Sequence, residues 1–162
     1  MARQEHTRSI PEAPIAAAAP LPFPPLSEVP WLLDVLIVDD DIADMWLTVN
    51  AVRSDPRVRR VITTEAPDEI LFRMVRGDVR PHLVLLDVRM PKVDGFKFID
   101  GLREIPAMIR TPVVMLTTSR FAHDVDRARQ RKVRSYVVKP DTFEELRDRL
   151  SGVITQTLEE WR

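Results

Sequence analysis

The sequence lacks cysteine entirely, and it lacks both long apolar runs and an excess of charge of either sign. Without cysteine there are no disulfide bonds and no thiolate metal ligands, so nothing indicates an oxidising compartment. A membrane-spanning helix needs roughly 20 consecutive apolar residues, and no run approaches that length. The formal net charge is −1, whereas proteins that mainly bind nucleic acid usually carry a strong basic excess. These absences predict a cytoplasmic protein that binds neither a membrane nor nucleic acid.

Proline is concentrated at the start of the chain, where residues 1–30 hold seven of the 14 prolines. Such a segment favours extended polyproline conformations and cannot build a hydrophobic core of its own. Glu5, Glu12 and the prolines also interrupt it before the apolar core of a signal peptide forms. We therefore predict an N-terminal arm over residues 1–30, disordered or loosely packed, followed by a single domain over residues 31–162.

From Leu33 onward, apolar runs suited to buried strands alternate with segments of helical character. The predicted strands are VLIV (35–38), VRRVITT (58–64), LVLL (83–86), VVML (113–116) and YVV (136–138). The predicted helices cover residues 43–54, 67–77, 96–103 and 121–131 and a last stretch from Thr142 onward. Five strands that alternate with five helices predict an α/β fold with a parallel sheet and helices on both faces.

Polar side chains directly follow four of the predicted strands. Asp39 and Asp40 follow the first strand, Asp87 the third, Thr117 the fourth and Lys139 the fifth. Ligands of an open α/β sheet bind beyond the carboxyl ends of the strands, so these side chains should converge. Carboxylates about 4 Å apart repel by roughly 4 kcal/mol per pair at an effective dielectric near 20, and Mg²⁺ would relieve that repulsion. A carboxylate beside Mg²⁺ is also a nucleophile toward a phosphoryl group, whose oxygens the lysine and the threonine would bind.

The segments VLIVDDD, LVLLDVRMPKVDG, PVVMLTTS and SYVVKP closely resemble the receiver domain of two-component response regulators. The resemblance covers residues 33 to about 150 and implies a flavodoxin-like (βα)5 fold with strand order 2-1-3-4-5. It implies that Asp87 is the phosphoacceptor, with Lys139 and Thr117 as further catalytic groups. It also implies that Mg²⁺ is held by Asp39, Asp40, Asp87 and the backbone carbonyl of Arg89.

The same resemblance implies features at further positions of the chain. Thr117 and Tyr136 match the family's switch pair, in which a hydroxyl moves toward the phosphate and an aromatic ring swings inward behind it. The bond between Lys139 and Pro140 matches the family's cis peptide. Lys132 stands in a stretch where most receivers carry glycine, so the end of the fourth helix is expected to be built differently.

The resemblance implies a single-domain response regulator rather than an enzyme acting on a separate substrate. The chain ends 22 residues after Pro140, which is room for one helix. The protein would accept a phosphoryl group from a histidine kinase on Asp87 and signal by protein contact or onward phosphotransfer. The sequence LTTS, Asp44 and a late tryptophan resemble the regulators of phytochrome-type kinases, which makes a bacteriophytochrome the expected kinase. A phosphorylation-independent adaptor with the same fold is the alternative.

The length and apolar spacing of the last predicted helix indicate that the protein forms a homodimer. Its apolar spacing continues to Trp161, beyond what is needed to cover the sheet, and a helix of about 20 residues is roughly 30 Å long. Leu158 and Trp161 are therefore expected to project past the sheet as exposed anchors. This predicts a homodimer about a two-fold axis, through the face formed by the fourth helix, the fifth strand and the fifth helix. The alternative is that Trp161 folds back on its own domain.

Overall fold

The computed structural model of the chain describes residues 32–90, 93–118 and 122–161. Its strands are β1 (Leu33–Val38), β2 (Val58–Thr64), β3 (Leu83–Asp87), β4 (Val113–Thr117) and β5 (Ser135–Val138). Its helices are α1 (Ile42–Arg53), α2 (Pro67–Val75), α3 (Gly95–Glu104), α4 (Ala122–Gln130) and α5 (Phe143–Trp161). Two short strands of two residues each, Arg89–Met90 and Val93–Asp94, pair antiparallel before α3. The predicted N-terminal arm, residues 1–30, lies outside the described residues and stays a prediction.

The five strands form one parallel sheet in the order β2-β1-β3-β4-β5. This confirms the predicted α/β class and the strand order 2-1-3-4-5. Every residue of β1, β3 and β4 is buried, because these central strands are covered by helices on both faces and their sequences are almost continuously apolar. β2 lies at the edge of the sheet and exposes its two arginines.

The core has two halves, one on each side of the sheet. Alternate residues of a strand point to opposite faces, so Leu36 and Val38 of β1 pack with α2, α3 and α4. Val35 and Ile37 of the same strand pack with α1 and α5. The carboxyl ends of the strands are thereby held in fixed positions relative to the starts of α1 and α3.

The structure contradicts the predicted position of Leu158. This side chain is 6% exposed and belongs to the core beneath α5, so it does not project past the sheet as a dimer contact. Leu150, Ile154 and Leu158 are spaced by four residues and lie on one face of the helix, and that face stays against the domain as far as Leu158. The backbone of Trp161 ends α5, but its side chain lies outside the described residues.

The end of α4 also differs from expectation. Lys132 has φ 53°, the left-handed conformation that favours glycine. Its N–H donates to the carbonyl of Arg129 at 3.1 Å, and the N–H of Val133 donates to the carbonyl of Ala128 at 3.1 Å. This is the Schellman arrangement that ordinarily ends a helix at glycine. The helix therefore has the usual ending, with a lysine whose backbone strain costs about 1 kcal/mol.

Candidate functional site

Three carboxylates meet at the carboxyl ends of two adjacent strands. Asp39 and Asp40 directly follow β1, Asp87 ends β3, and the two strands are paired through Val38 and Leu86. Oxygen atoms of the three aspartates lie within 4.8 Å of one another. Asp39 is 2% exposed and Asp87 is 8% exposed. A compact set of hard oxygen donors fits a divalent cation such as Mg²⁺, as the sequence predicted.

The start of α3 packs directly against the end of β3. A Cβ atom at Gly95 would lie 2.9 Å from the carbonyl oxygen of Asp87, so the close approach of the two backbones requires glycine there. Asp94 caps α3 by accepting a hydrogen bond from the N–H of Phe96 at 2.9 Å. The backbone position of Asp87 is therefore set by the helix that follows it as well as by the sheet.

The acidic run after β1 divides into residues with different contacts. One oxygen of Asp39 accepts a hydrogen bond from the N–H of Asp41 at 2.9 Å, which fixes its carboxylate in the loop. Asp41 caps α1 and accepts from the N–H groups of Ala43 and Asp44 at 2.8 and 3.0 Å. Helix capping is thus performed by Asp41, and Asp39 and Asp40 lie in the carboxylate cluster.

Lys139 brings a positive charge into the cluster from the end of β5. Its backbone N–H donates to the carbonyl of Thr117 at 2.7 Å. Its Nζ lies 3.1 Å from Oδ2 of Asp39, 2.9 Å from Oδ2 of Asp44 and 3.7 Å from Oδ1 of Asp87. Burial alone would lower the pKa of Lys139, but the hydrogen bond to Asp44 and the charges of Asp87 and Asp39 outweigh it and raise the pKa. The side chain is therefore an ammonium at neutral pH.

Burial acts on the carboxylates in the same region. It raises the pKa of Asp39, against the opposing effects of the Asp41 N–H and the charge of Lys139. It also raises the pKa of Asp87, where Lys139 opposes the shift and the charge of Asp39 adds to it. Since both pKa values lie above those of exposed aspartates, ionising the two groups costs folding free energy at neutral pH. A bound cation would recover that cost.

The cluster opens into a cavity of about 370 Å³. The cavity is lined by Asp40, Asp41, Asp44, Asp87, Arg89 and Thr118. Arg89 is exposed at its rim, and its backbone N–H donates to the carboxylate of Asp87. Nothing in the sequence marked Thr118 as the threonine that faces the cavity, and its neighbour Thr117 is fully buried.

The predicted switch residues lie on adjacent strands. Tyr136 of β5 is partly buried, packs against the half of the core that faces α2, α3 and α4, and pairs with Met115 of β4. The switching role of Tyr136 and Thr117 stays a prediction. The peptide bond between Lys139 and Pro140 is trans, so the expectation of a cis bond there is wrong. The trans form is intrinsically favoured for a bond to proline by about 0.5–1 kcal/mol.

Most of the chain matches the model of a known protein family. Residues 35–151 match the model of the response regulator receiver domain. Across the described helices, none combines the length and apolar character of a membrane span.

Curated relatives extend over most of the chain. The probable methanogenesis regulatory protein FilR2 of Methanothrix harundinacea is 43% identical over 117 residues, which are 70% of this chain and 76% of FilR2. Response regulator Rcp1 of Synechocystis is 28% identical over 130 residues, which are 77% of this chain and 88% of Rcp1.

Solved structures show the same architecture. The phosphorylated cyanobacterial phytochrome response regulator RcpA superposes with a TM-score of 0.67 at 25% identity, over 81% of this chain and 96% of RcpA. The Mn²⁺-bound form of response regulator Rcp1 superposes with a TM-score of 0.67 at 27% identity, over 78% of this chain and 95% of Rcp1.

Proposed function

The chain belongs to the response regulator receiver domain family, and we propose that it is a single-domain response regulator whose phosphoacceptor is Asp87. The observation that carries this proposal is the position of Asp87, a buried carboxylate within 4.8 Å of two others and 3.7 Å from the Lys139 ammonium. The test is labelling by a small phosphodonor such as acetyl phosphate in the presence of Mg²⁺. The Asp87→Asn variant identifies the residue that is labelled.

The proposed reaction moves a phosphoryl group from the histidine of a kinase to Asp87. A carboxylate oxygen of Asp87 attacks phosphorus, an O–P bond forms, and the P–N bond to the donor histidine breaks with its electron pair left on nitrogen, which takes a proton from solvent. Lys139 supplies a positive charge to the transferred oxygens, and the Thr117 hydroxyl would donate to one of them. Mg²⁺ held by Asp39, Asp40, Asp87 and the Arg89 carbonyl would neutralise charge on the transferred group. Hydrolysis of the aspartyl phosphate then restores the carboxylate.

Magnesium should stabilise the folded protein. A ligand that binds only the folded state stabilises it by about 1.4 kcal/mol at ten times its Kd, which raises the melting temperature by about 3–6 °C for a chain of this size. Asp40→Ala should remove most of that increase, because it removes one of the three converging carboxylates. Thermal unfolding during a Mg²⁺ titration measures both effects.

Asp68→Ala is the matched control, because Asp68 is an exposed carboxylate in the first turn of α2 and takes no part in the cluster. It should respond to Mg²⁺ as the wild type does. For a millimolar Kd, 10 mM Mg²⁺ is about ten times the Kd. A wild-type melting temperature that stays constant up to that concentration would contradict the metal site.

The proposed phosphodonor is a histidine kinase of the phytochrome type. This part of the proposal is supported by the likeness to RcpA, which is described as a phytochrome response regulator, and by the LTTS segment and Asp44. A phosphorylation-independent adaptor is the second candidate, because the receiver fold also presents surfaces for constitutive contact. Binding of beryllofluoride with Mg²⁺ separates the two, since an adaptor with an inactive site would not respond to it.

We also propose that the protein forms a homodimer through α4, β5 and α5, without Leu158. β5 is an edge strand of the sheet, and Tyr136 on it is only partly buried. The wild type should sediment as a dimer at tens of micromolar, and Trp161→Glu should sediment as a monomer. Phe72→Glu is the control, since Phe72 is exposed on α2, away from that face. A wild type that stays monomeric with and without beryllofluoride would rule out the dimer.

A further inference from the structure

The shortest contact of the Lys139 ammonium is with Asp44, which lies outside the carboxylate cluster. The distance from Nζ to Oδ2 of Asp44 is 2.9 Å, compared with 3.1 Å to Asp39 and 3.7 Å to Asp87. The first two distances are hydrogen bonds and the third is too long to be one. The lysine is thus held on the side of the cavity that belongs to α1.

Asp44 is itself fixed in the first turn of α1. Its N–H donates to Oδ1 of Asp41 at 3.0 Å, and its carbonyl accepts from the hydroxyl of Thr48 at 3.0 Å. The carboxylate lines the cavity and lies near the N-terminus of a helix, where a negative charge is favourable. The Lys139 side chain is 11% exposed, whereas that of Asp44 is 38% exposed.

We propose that Asp44 is a positioning residue for phosphotransfer, which keeps the Lys139 ammonium off the Asp87 carboxylate until a phosphoryl group arrives between them. The inference rests on the proposed function. An ammonium has three N–H donors, and hydrogen bonds to Asp39 and Asp44 use two of them. The distance of 3.7 Å from Nζ to Oδ1 of Asp87 leaves that oxygen without a direct hydrogen bond to Lys139. The third donor of the ammonium remains for an oxygen of the incoming group.

Removal of the Asp44 contact should let the lysine move. Opposite charges attract strongly at a site this buried, so the ammonium would close on Asp87 and form a direct hydrogen bond with the nucleophile. That bond would make the carboxylate less reactive and would occupy the space of the phosphoryl oxygens. Phosphorylation should therefore become slower.

Asp44 also carries a negative charge, which by itself repels an anionic phosphodonor. Two substitutions separate this effect from the positioning effect. Asp44→Ala and Asp44→Asn both remove the charge, but the asparagine retains a side-chain oxygen that can accept from Nζ. If Asp44 acts through its charge alone, the two variants should be phosphorylated at equal rates. If Asp44 positions the lysine, Asp44→Ala should be phosphorylated more slowly than Asp44→Asn.

The experiment measures the rate of phosphorylation by acetyl phosphate at saturating Mg²⁺. We expect Asp44→Ala to lower the maximal rate about tenfold, which corresponds to ~1.4 kcal/mol in the barrier, and Asp44→Asn to stay within about threefold of the wild type. Asp68→Ala is the control for loss of a carboxylate from the first turn of a helix. Asp44→Ser, which lacks the terminal carboxylate that contacts Nζ, replaces the alanine variant if that variant does not fold.

A double-mutant cycle distinguishes positioning of Lys139 from a general structural effect. If Asp44 acts through the lysine, Asp44→Ala should have no further effect on the residual rate of Lys139→Met. The inference is overturned if Asp44→Ala is phosphorylated as fast as Asp44→Asn or the wild type. It is also overturned if Asp44→Ala lowers the rate by the same factor in the Lys139→Met background as in the wild type. A wild type that no phosphodonor labels overturns the proposed function and the inference with it, whereas a labelled wild type limits the failure to Asp44.

Discussion

Asp87→Asn should take up no phosphoryl group, and in the absence of Mg²⁺ it should melt at a higher temperature than the wild type. The first result follows because the amide lacks the nucleophilic carboxylate oxygen at the centre of the cluster. Labelling with acetyl phosphate, followed by acid-quenched electrophoresis, measures it. An Asp87→Asn protein that is labelled as fully as the wild type would show that the phosphoacceptor is another residue.

The second result follows from the raised pKa of Asp87. Burial is the main cause of the shift, and the folded state therefore binds the proton more tightly than the unfolded state does. The free energy of unfolding then decreases as the pH rises through the folded pKa, and the loss remains at neutral pH. Asparagine carries no charge and avoids the loss. The gain in melting temperature should shrink as the pH falls through the folded pKa and vanish below about 3.8.

Melting curves of the two proteins from pH 3 to pH 8 test the sign of this effect. Asp68→Asn is the control for the loss of a carboxylate, since Asp68 is an exposed side chain at the start of α2 that lies outside the cluster. Asp87→Asn should also lose most of its response to Mg²⁺, because a neutral amide replaces one of the three carboxylates of the cluster. A lower melting temperature than the wild type at pH 7 would show that the attraction between Asp87 and Lys139 outweighs the cost of burial.

The fold and the carboxylate cluster were predictable because they depend on strong, local patterns. The apolar runs of β1, β3 and β4 are continuous, which is typical of strands buried on both faces, and parallel strands place their carboxyl ends at one edge of the sheet. Asp39, Asp40 and Asp87 therefore had to converge whatever the detailed packing. The left-handed position at Lys132 was not predictable in this way, because a lysine gives no sign of a conformation that glycine favours.

Two kinds of contact were not predictable from the sequence. One depends on how a helix is rotated about its axis, and the other depends on which face of the sheet a residue at the end of a strand points to. Asp44 reaches Lys139 across 95 residues of sequence, and only the angle of α1 about its axis decides that contact. Thr117 and Thr118 are chemically identical, and the face that each presents at the end of β4 decides which one lines the cavity. The burial of Leu158 was not predictable either, because the length of a helix does not show how far the core beneath it extends, and the core beneath α5 reaches Leu158.

Asp55→Ala should destabilise the fold by about 3–5 kcal/mol, although Asp55 lies far from the acidic cavity. Asp55 and Arg57 form a bidentate ion pair in the turn before β2, with Nη2 at 2.7 Å from Oδ2 and Nε at 2.9 Å from Oδ1. Their side chains are only 2% and 4% exposed. The guanidinium continues to α5, where it donates to the hydroxyl of Thr155 at 2.8 Å and to the carbonyl of Ser151 at 3.2 Å.

The expected loss comes from the charge that remains. Removal of Asp55 takes the bidentate carboxylate away from a buried guanidinium, and the loss of one member of a buried pair costs far more than the net contribution of the intact pair. The double variant Asp55→Ala, Arg57→Met should therefore be more stable than Asp55→Ala alone. The exposed pair of Arg147 and Asp148, with side chains 45% and 54% exposed, supplies the control. Asp148→Ala should change stability by less than about 1 kcal/mol.

Urea unfolding of the four proteins measures these differences. A chain of this size loses roughly 2–4 °C of melting temperature per kcal/mol, so Asp55→Ala should melt on the order of 10 °C below the wild type. If the double variant is no more stable than Asp55→Ala alone, the buried charge of Arg57 is not the cause, and the loss must come from the hydrogen bonds that join the turn to α5. Because the same turn places Val58 at the start of β2, that outcome would make the guanidinium a structural bridge between the edge strand and the last helix.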